Sequence, residues 1–302
     1  MMKIKDNPAG AGHGREWRSI SAPSKYDAFE HLCRSLFKRP RDLMAMLTVY
    51  CDDSGNSRVA AVAGYLGTAL QWKRFCPEWK RALDKENIQV MHRTNLETWH
   101  GEFTEDKGWN PTRRTAFVKR LHPIIKHRTY TGVGTSVLLA DFETTMPDWV
   151  KTLFGGPYGW CAHECIVAMR VWSDRHRQSD PIEWVFEQGT RGTHEIGLMF
   201  EGLCENPAWR QQYRLKPNGW SFKPKSLRPL QSADRVAYEL YKHTENRILD
   251  KGKRNIRLSA LDLFRPHELP YFKYWNTARM SKWLSGWDEK TKASAAMRPK
   301  DF

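Results

Sequence analysis

Residues Thr48-Val-Tyr-Cys-Asp-Asp-Ser-Gly55 form a short apolar run that ends in two adjacent carboxylates and a turn. The run reads as a β-strand, and Ser54-Gly55-Asn56-Ser57 carries strong turn chemistry. A second strand-like run follows at once, Arg58-Val-Ala-Ala-Val-Ala-Gly-Tyr-Leu-Gly67. The chain therefore folds around a hairpin with Asp52 and Asp53 at its mouth. Side chains alternate faces along a strand, so only one of these neighbours points with the buried residues. An aspartate at the end of a central strand stands where oxygen-seeking cations are held. The alternative is that both acids solvate a tight turn.

Downstream, periodicity alternates between 3.6 and 2. Trp72, Phe75, Trp79 and Leu83 fall on one helical stripe over 69–83, with a kink or restart expected at Pro77. Gln89–His92 reads as a short strand and Pro111 to about Lys126 as a helix. Thr129–Ala140 reads as a strand ending at Asp141. Pro147–Trp160 reads as a loop and about 160–176 as a long helix. Ile182–Glu187 alternates as a strand, 192–204 is helical, Trp220–Phe222 is a short strand, and Pro229–Tyr241 begins a strong helix. Tyr26–Phe37 also has helical spacing. This order predicts an α/β fold, a mixed β-sheet flanked by helices. The domain spans 47–250. A polar, basic N-terminal extension (1–46, its first dozen residues disordered) precedes it, and a basic, Trp-rich C-terminal extension (251–302) follows.

Lys and Arg number 49 against 34 acids, a formal charge of +15. Such a surplus favours polyanions, nucleic acid foremost, and is otherwise read as solubility or an acidic protein partner. The basic residues are dispersed, as at Arg113/Arg114/Lys119/Arg120 and Lys223/Lys225/Arg228, with Trp109, Trp172 and Trp220 near several of the groups. Those rings could stack on unpaired bases, or serve as core. No apolar stretch approaches the roughly 18–20 residues that span a bilayer. The N-terminus lacks the apolar segment of a secretory signal, so a cytoplasmic protein with free thiols is expected. Cys161-Ala-His163-Glu-Cys165 is the nearest approach to a zinc pattern. On a helix, however, 161 and 165 share a face that 163 leaves. A Ser or Cys hydrolase lacks a nucleophile elbow, no Walker loop is present, and Cys51 has no evident base.

Three acids fall at corresponding places. Asp52 and Glu187 end strands, and Asp234 lies among Leu230, Ala233, Val236 and Ala237 in the first turns of a late helix. An acid on an apolar helix face is costly unless paired, hydrogen-bonded or metal-bound, although the helix dipole also stabilises an early acid. Two strand-end acids and a helix acid are a common frame for two-metal phosphodiester cleavage. Such hard oxygen donors select Mg²⁺ or Mn²⁺.

Tyr50-Cys-Asp-Asp-Ser-Gly55 resembles the Tyr-x-Asp-Glu-Ser-Gly opening of the prokaryotic "domain of unknown function 3800" proteins. Ala63-Gly-Tyr-Leu-Gly67 with Trp72, Phe75, Glu78-Trp79-Lys80 and Leu83 resembles that family's second strand and helix. Met91-His92-Arg-Thr-Asn-Leu96 resembles its His-containing segment, and Pro229-Leu-Gln231-Ser-Ala-Asp234-Arg-Val-Ala237 its closing Gln-x-x-Asp helix. The resemblance covers about 48–97 and 182–245. It implies an RNase H-like fold and a metal-dependent nuclease. Asp52 would be the central metal ligand, Glu187 the second and Asp234 the third, with Asp53, His92 and Gln231 completing a catalytic set. His92 would assist proton transfer or orient a phosphate, or else cap the sheet edge. Asp53 stands where the family usually has Glu. Glu183 and Glu195 compete with Glu187, and Asp141 is a fallback ligand.

The expected function is Mg²⁺/Mn²⁺-dependent hydrolysis of DNA or RNA, with a role in phage defence or mobile-element biology as the family's members suggest. The alternative is a non-catalytic nucleic-acid-binding or assembly protein with a degenerate acidic site. A protein partner in a larger complex is compatible with either.

Overall fold

The hairpin forms as its alternation demands. In the computed structural model, which describes residues 46–249, 263 and 271–287, β1 (Leu47–Gly55) pairs antiparallel with β2 (Val59–Thr68), and Asp52 lies opposite Ala63. Asn56 closes the turn, its Oδ1 accepting from Arg58 N at 2.8 Å and Val59 N at 3.0 Å. Gly64 faces Cys51 across the ladder, and a Cβ there would lie 2.0 Å from the Tyr50 carbonyl oxygen. The helix expected over 26–37 and most of both terminal extensions lie outside the described residues.

Three further strands follow in the main body of the chain: β3 (Thr131–Leu138), β4 (Ile182–Glu187) and β5 (Leu215–Lys223). A sixth, β6 (Phe272–Trp275), comes from the stretch assigned by sequence to the C-terminal extension. The sheet order is β5-β4-β1-β2-β3-β6. β3 is antiparallel to β2, while β4 runs parallel to β1, β5 to β4 and β6 to β3.

Ten α-helices accompany these strands among the described residues, besides short 3-10 and π turns. They are α1 (Ala69–Asp84), α2 (Arg93–Thr98), α3 (Pro111–Arg128), α4 (Leu139–Thr145), α5 (Asp148–Phe154), α6 (Pro157–Arg175), α7 (Thr193–Glu205), α8 (Pro207–Tyr213), α9 (Arg228–Thr244) and α10 (Thr277–Leu284). The period of two sorts them into layers. Tyr50, Ala61, Ala63, Tyr65 and Val185 face a core made with α1, α2, α3 and α9. Val49, Cys51, Ala60, Val62, Trp184 and Phe186 face the other core, made with α4 to α8 and α10. The fold is thus a mixed α/β sheet between two helical layers.

Several local expectations change. α1 runs continuously through Pro77, entered by a capping box between Thr68 and Gln71. The segment 147–160, expected as a loop, holds α5 and the start of α6, separated by Gly155 and Gly156 at φ 73° and 135°. Gln89–His92 is not a strand. Its amides are taken by side chains instead: Glu102 accepts from Gln89 N at 2.8 Å and Val90 N at 3.2 Å, and Gln231 Oε1 accepts from Met91 N at 3.0 Å. β3 ends at Leu138, three residues before Asp141, which lies in the first turn of α4.

Candidate active site

The three acids singled out by sequence meet on the α9 face of the sheet. Asp52 shares that face with Tyr50 by strand parity, and Glu187 shares it with Val185. Cys51 lies opposite Phe186 in the parallel ladder, so Asp52 and Glu187 are the next residues along two adjacent strands. Asp234 comes down from α9, a helix with Pro229 in its first turn and 14 buried residues between the sheet and the α1–α3 layer.

They surround a cation that sequence reasoning did not assign to the site. Lys225, in the four-residue link between β5 and α9, puts its Nζ 2.9 Å from Glu187 Oε2, 3.3 Å from Asp234 Oδ2 and 3.6 Å from Asp52 Oδ2. The only advance sign was Lys223-Pro-Lys225 just ahead of an acid-bearing helix, and it reads as ordinary surface charge. Burial opposes the Lys225 charge, but Asp234, Asp52 and Glu187 together hold the ammonium well above the usual lysine range. Burial, reinforced by Asp234 and against the pull of Lys225, pushes Asp52 well above the usual carboxylate range. Asp52 is 1% exposed, and its Oδ2 accepts no hydrogen bond. Its Oδ1 accepts from Asp53 N at 2.8 Å.

Gln231 and His92 play different parts. The Gln231 carbonyl oxygen accepts from Trp79 Nε1 at 2.9 Å and Met91 N at 3.0 Å, and its Nε2 donates to the Lys225 carbonyl at 3.2 Å. Both ends of this amide are committed to holding the surrounding chain. Asp234 Oδ2 accepts from Arg93 N at 2.7 Å, which seats the start of α2. His92, at the N-cap of α2, stands at the rim with Nδ1 4.0 Å from Asp234 Oδ2.

Asp53 points to the opposite face. The Thr190 hydroxyl and the Gly192 amide hydrogen-bond its carboxylate, and burial, opposed by these bonds, leaves the group at about 6. It thereby ties down the loop that follows Glu187. Glu195 lies on that face too and caps α6, accepting from Tyr158 N at 2.6 Å. Glu183 lies four residues before the end of β4. Asp141 hydrogen-bonds Tyr274.

Cys51 is buried in the opposite core, where burial pushes its thiol well above the usual range. Cys161 and Cys165 turn toward β2, with sulfurs 3.9 Å from Ala60 O and 3.5 Å from Val62 O, while His163 meets Tyr213 Oη at 3.1 Å.

Behind the site lies a buried charge network that sequence analysis missed. Arg93 pairs with Glu239 and with Glu97 at 2.6 Å, and Arg235 contacts His122. Arg93, Arg235 and Glu239 are each no more than 1% exposed. Arg235 and Glu239, four apart on α9, were the sequence signal.

The donors gathered here are of the type that hard divalent cations prefer. They are carboxylate oxygens alone, among them the buried Asp52 Oδ2, which accepts no hydrogen bond. One ammonium faces three carboxylates here. Among the described residues, no group of three or more His, Cys, Asp or Glu side chains is set in ligand geometry. In this arrangement the carboxylates are disposed around Lys225 Nζ. No family model, curated protein or solved structure matches the chain.

Proposed function

We propose that the protein is a Mg²⁺- or Mn²⁺-dependent nuclease of RNase H-like fold. The observation that carries this reading is the convergence of Asp52, Glu187 and Asp234 on a single cation position, from two adjacent strands and a crossing helix. The strand order supports it: an antiparallel β1-β2-β3 meander extended by parallel β4 and β5 is the arrangement expected of an RNase H-like sheet. The surplus of +15 supports a polyanionic substrate.

Asp52, Glu187 and Asp234 would hold the metal. When bound, the ion supplies Lewis acidity to a phosphate and to the water that attacks it. The chain's own contribution is placement. Asp53 fixes the loop after Glu187, Arg93 N fixes the Asp234 carboxylate, and Gln231 fixes the 91–93 segment and the Lys225 backbone. His92, at the rim with Nδ1 4.0 Å from Asp234 Oδ2, would orient a phosphate or move a proton at the substrate.

The position of Lys225 favours a second reading, a nucleic-acid-binding or assembly protein whose acidic site is closed by its own lysine. Cleavage of labelled single- and double-stranded DNA and RNA in Mg²⁺ or Mn²⁺ separates the two. The nuclease reading expects cleavage that is lost in Asp52→Ala and Asp234→Ala, with binding retained. Salt-sensitive binding by all three proteins, and cleavage by none, would overturn it in favour of the binding protein.

A further inference from the structure

We propose that Lys225 is a tethered counter-cation: its ammonium occupies the metal position in the metal-free protein and swings out when a divalent ion enters. This inference rests on the metal-dependent reading above and adds a device that the reading does not require. Three observations carry it.

The ammonium stands within 3.6 Å of all three carboxylates, so it lies at the point where their charges converge. A divalent ion brought to that point would meet a positive charge at contact distance, and the two cannot share it.

The residue is anchored at one end only. Gln231 holds its carbonyl, whereas the ammonium's ion pairs among the described residues are the three carboxylates themselves. Once a metal takes those oxygens, the flexible four-carbon stem is free to carry the charge elsewhere. The backbone need not move, because the Gln231 amide does not depend on the state of the ammonium.

The charge count matches an exchange. Without a cation, three clustered carboxylates, Asp52 and Asp234 buried and Glu187 half-buried, would repel one another. Lys225 offsets one of the three charges and keeps the acids converged. A divalent ion carries one charge more than the ammonium and so offsets more of the cluster's negative charge. Glu187, with the shortest of the three ion pairs, is the last contact the ammonium gives up.

Two measurements on the full-length protein test this. The first is acetylation of wild-type protein by an N-hydroxysuccinimide ester, in EDTA and in Mn²⁺, with modification of Lys225 followed by peptide mass spectrometry. Lys225 should be protected in EDTA and should react roughly 10-fold faster or more with Mn²⁺ bound, because the amine then reaches solvent. The second is calorimetric titration of Mn²⁺ into wild type, Lys225→Met and Asp52→Asn. Lys225→Met should bind Mn²⁺ roughly 10- to 100-fold more tightly than wild type, since no ammonium competes.

The failures are distinguishable. Mn²⁺ binding that requires Asp52, with no tightening in Lys225→Met and no change in Lys225 labelling, would leave the metal site standing and overturn the counter-cation. No Asp52-dependent Mn²⁺ binding in either wild type or Lys225→Met would overturn both. If Lys225→Met does not fold, the labelling experiment on wild type decides alone.

Discussion

Gln231 and Asp234 stand one turn apart on α9 and grip opposite ends of a single residue. The Gln231 amide donates to the Lys225 carbonyl at 3.2 Å, and the Asp234 carboxylate stands 3.3 Å from the Lys225 ammonium. The same pair reaches the other way to Met91 N and Arg93 N. The Gln-x-x-Asp spacing is therefore a clamp that closes two distant segments onto the acids.

Removing the clamp tests its structural weight. Gln231→Leu keeps the volume but leaves Trp79 Nε1, Met91 N and the Lys225 carbonyl without this partner. The expected cost is roughly 1–3 kcal/mol for each group that finds no substitute. Urea denaturation at neutral pH measures it. A variant within experimental error of wild type would show that the amide carries no structural weight.

Glu239 tests the buried charge network. It is fully buried, pairs with Arg93 and opposes the burial and Arg93 repulsion that pull Arg235 down to about 9. Glu239→Ala leaves two buried guanidinium groups short of a counter-charge and should cost roughly 3–5 kcal/mol. Replacing Arg93 and Glu239 together by Met and Leu removes one of the two stranded guanidinium groups and should recover part of that loss. Thermal unfolding of the single and double variants provides the comparison.

Glu86 gives a pH signature. Burial raises its carboxyl, but hydrogen bonds from Arg113 at 2.8 Å and Arg120 at 2.5 Å outweigh burial and hold it below the usual carboxylate range. A depressed acid contributes stability that is complete above its unfolded value and is lost as pH falls through its folded value. Wild type should therefore exceed Glu86→Gln in stability at pH 7, and the gap should close below about pH 4, under the reference value for Glu. A gap of constant size across that range would assign the effect to packing instead.

Truncation after residue 250 removes β6 and α10. That exposes the ladder edge of β3 and uncovers the core around Trp275 and Met280, which are 9% and 0% exposed. The shortened chain should be recovered largely as aggregate, while the full chain stays monodisperse in size-exclusion chromatography under the same conditions.

Much of the sheet could be read from parity alone. Asp52 and Glu187 could be read as strand-end acids, but that they share one face of the sheet follows only from the pairing of β1 with β4. Asp234 stood out because apolar neighbours surround it on α9. Lys225 did not, since nothing local distinguishes a lysine that folds back into a carboxylate cluster from one that faces water. Gln89–His92 reads as a strand from its residue types, yet its amides are satisfied by Glu102 and Gln231 rather than by a neighbouring strand. β6 was missed because its four residues acquire strand character only by lying against β3.

The clamp also sets an order of events in the life of the chain. Met91 and Arg93 find their amide partners 140 and 141 residues later, at Gln231 and Asp234. A nascent chain that has not yet grown past Asp234 carries the β1–β2 hairpin and Asp52 but lacks the third acid. Contacts of such long sequence separation form late and cost loop entropy before they return anything. The carboxylates therefore become a set at the moment when the first hairpin and the last long helix of the sheet find each other. Completion of the site coincides with the docking of α9 on the sheet, ahead of the addition of β6 to the edge of β3.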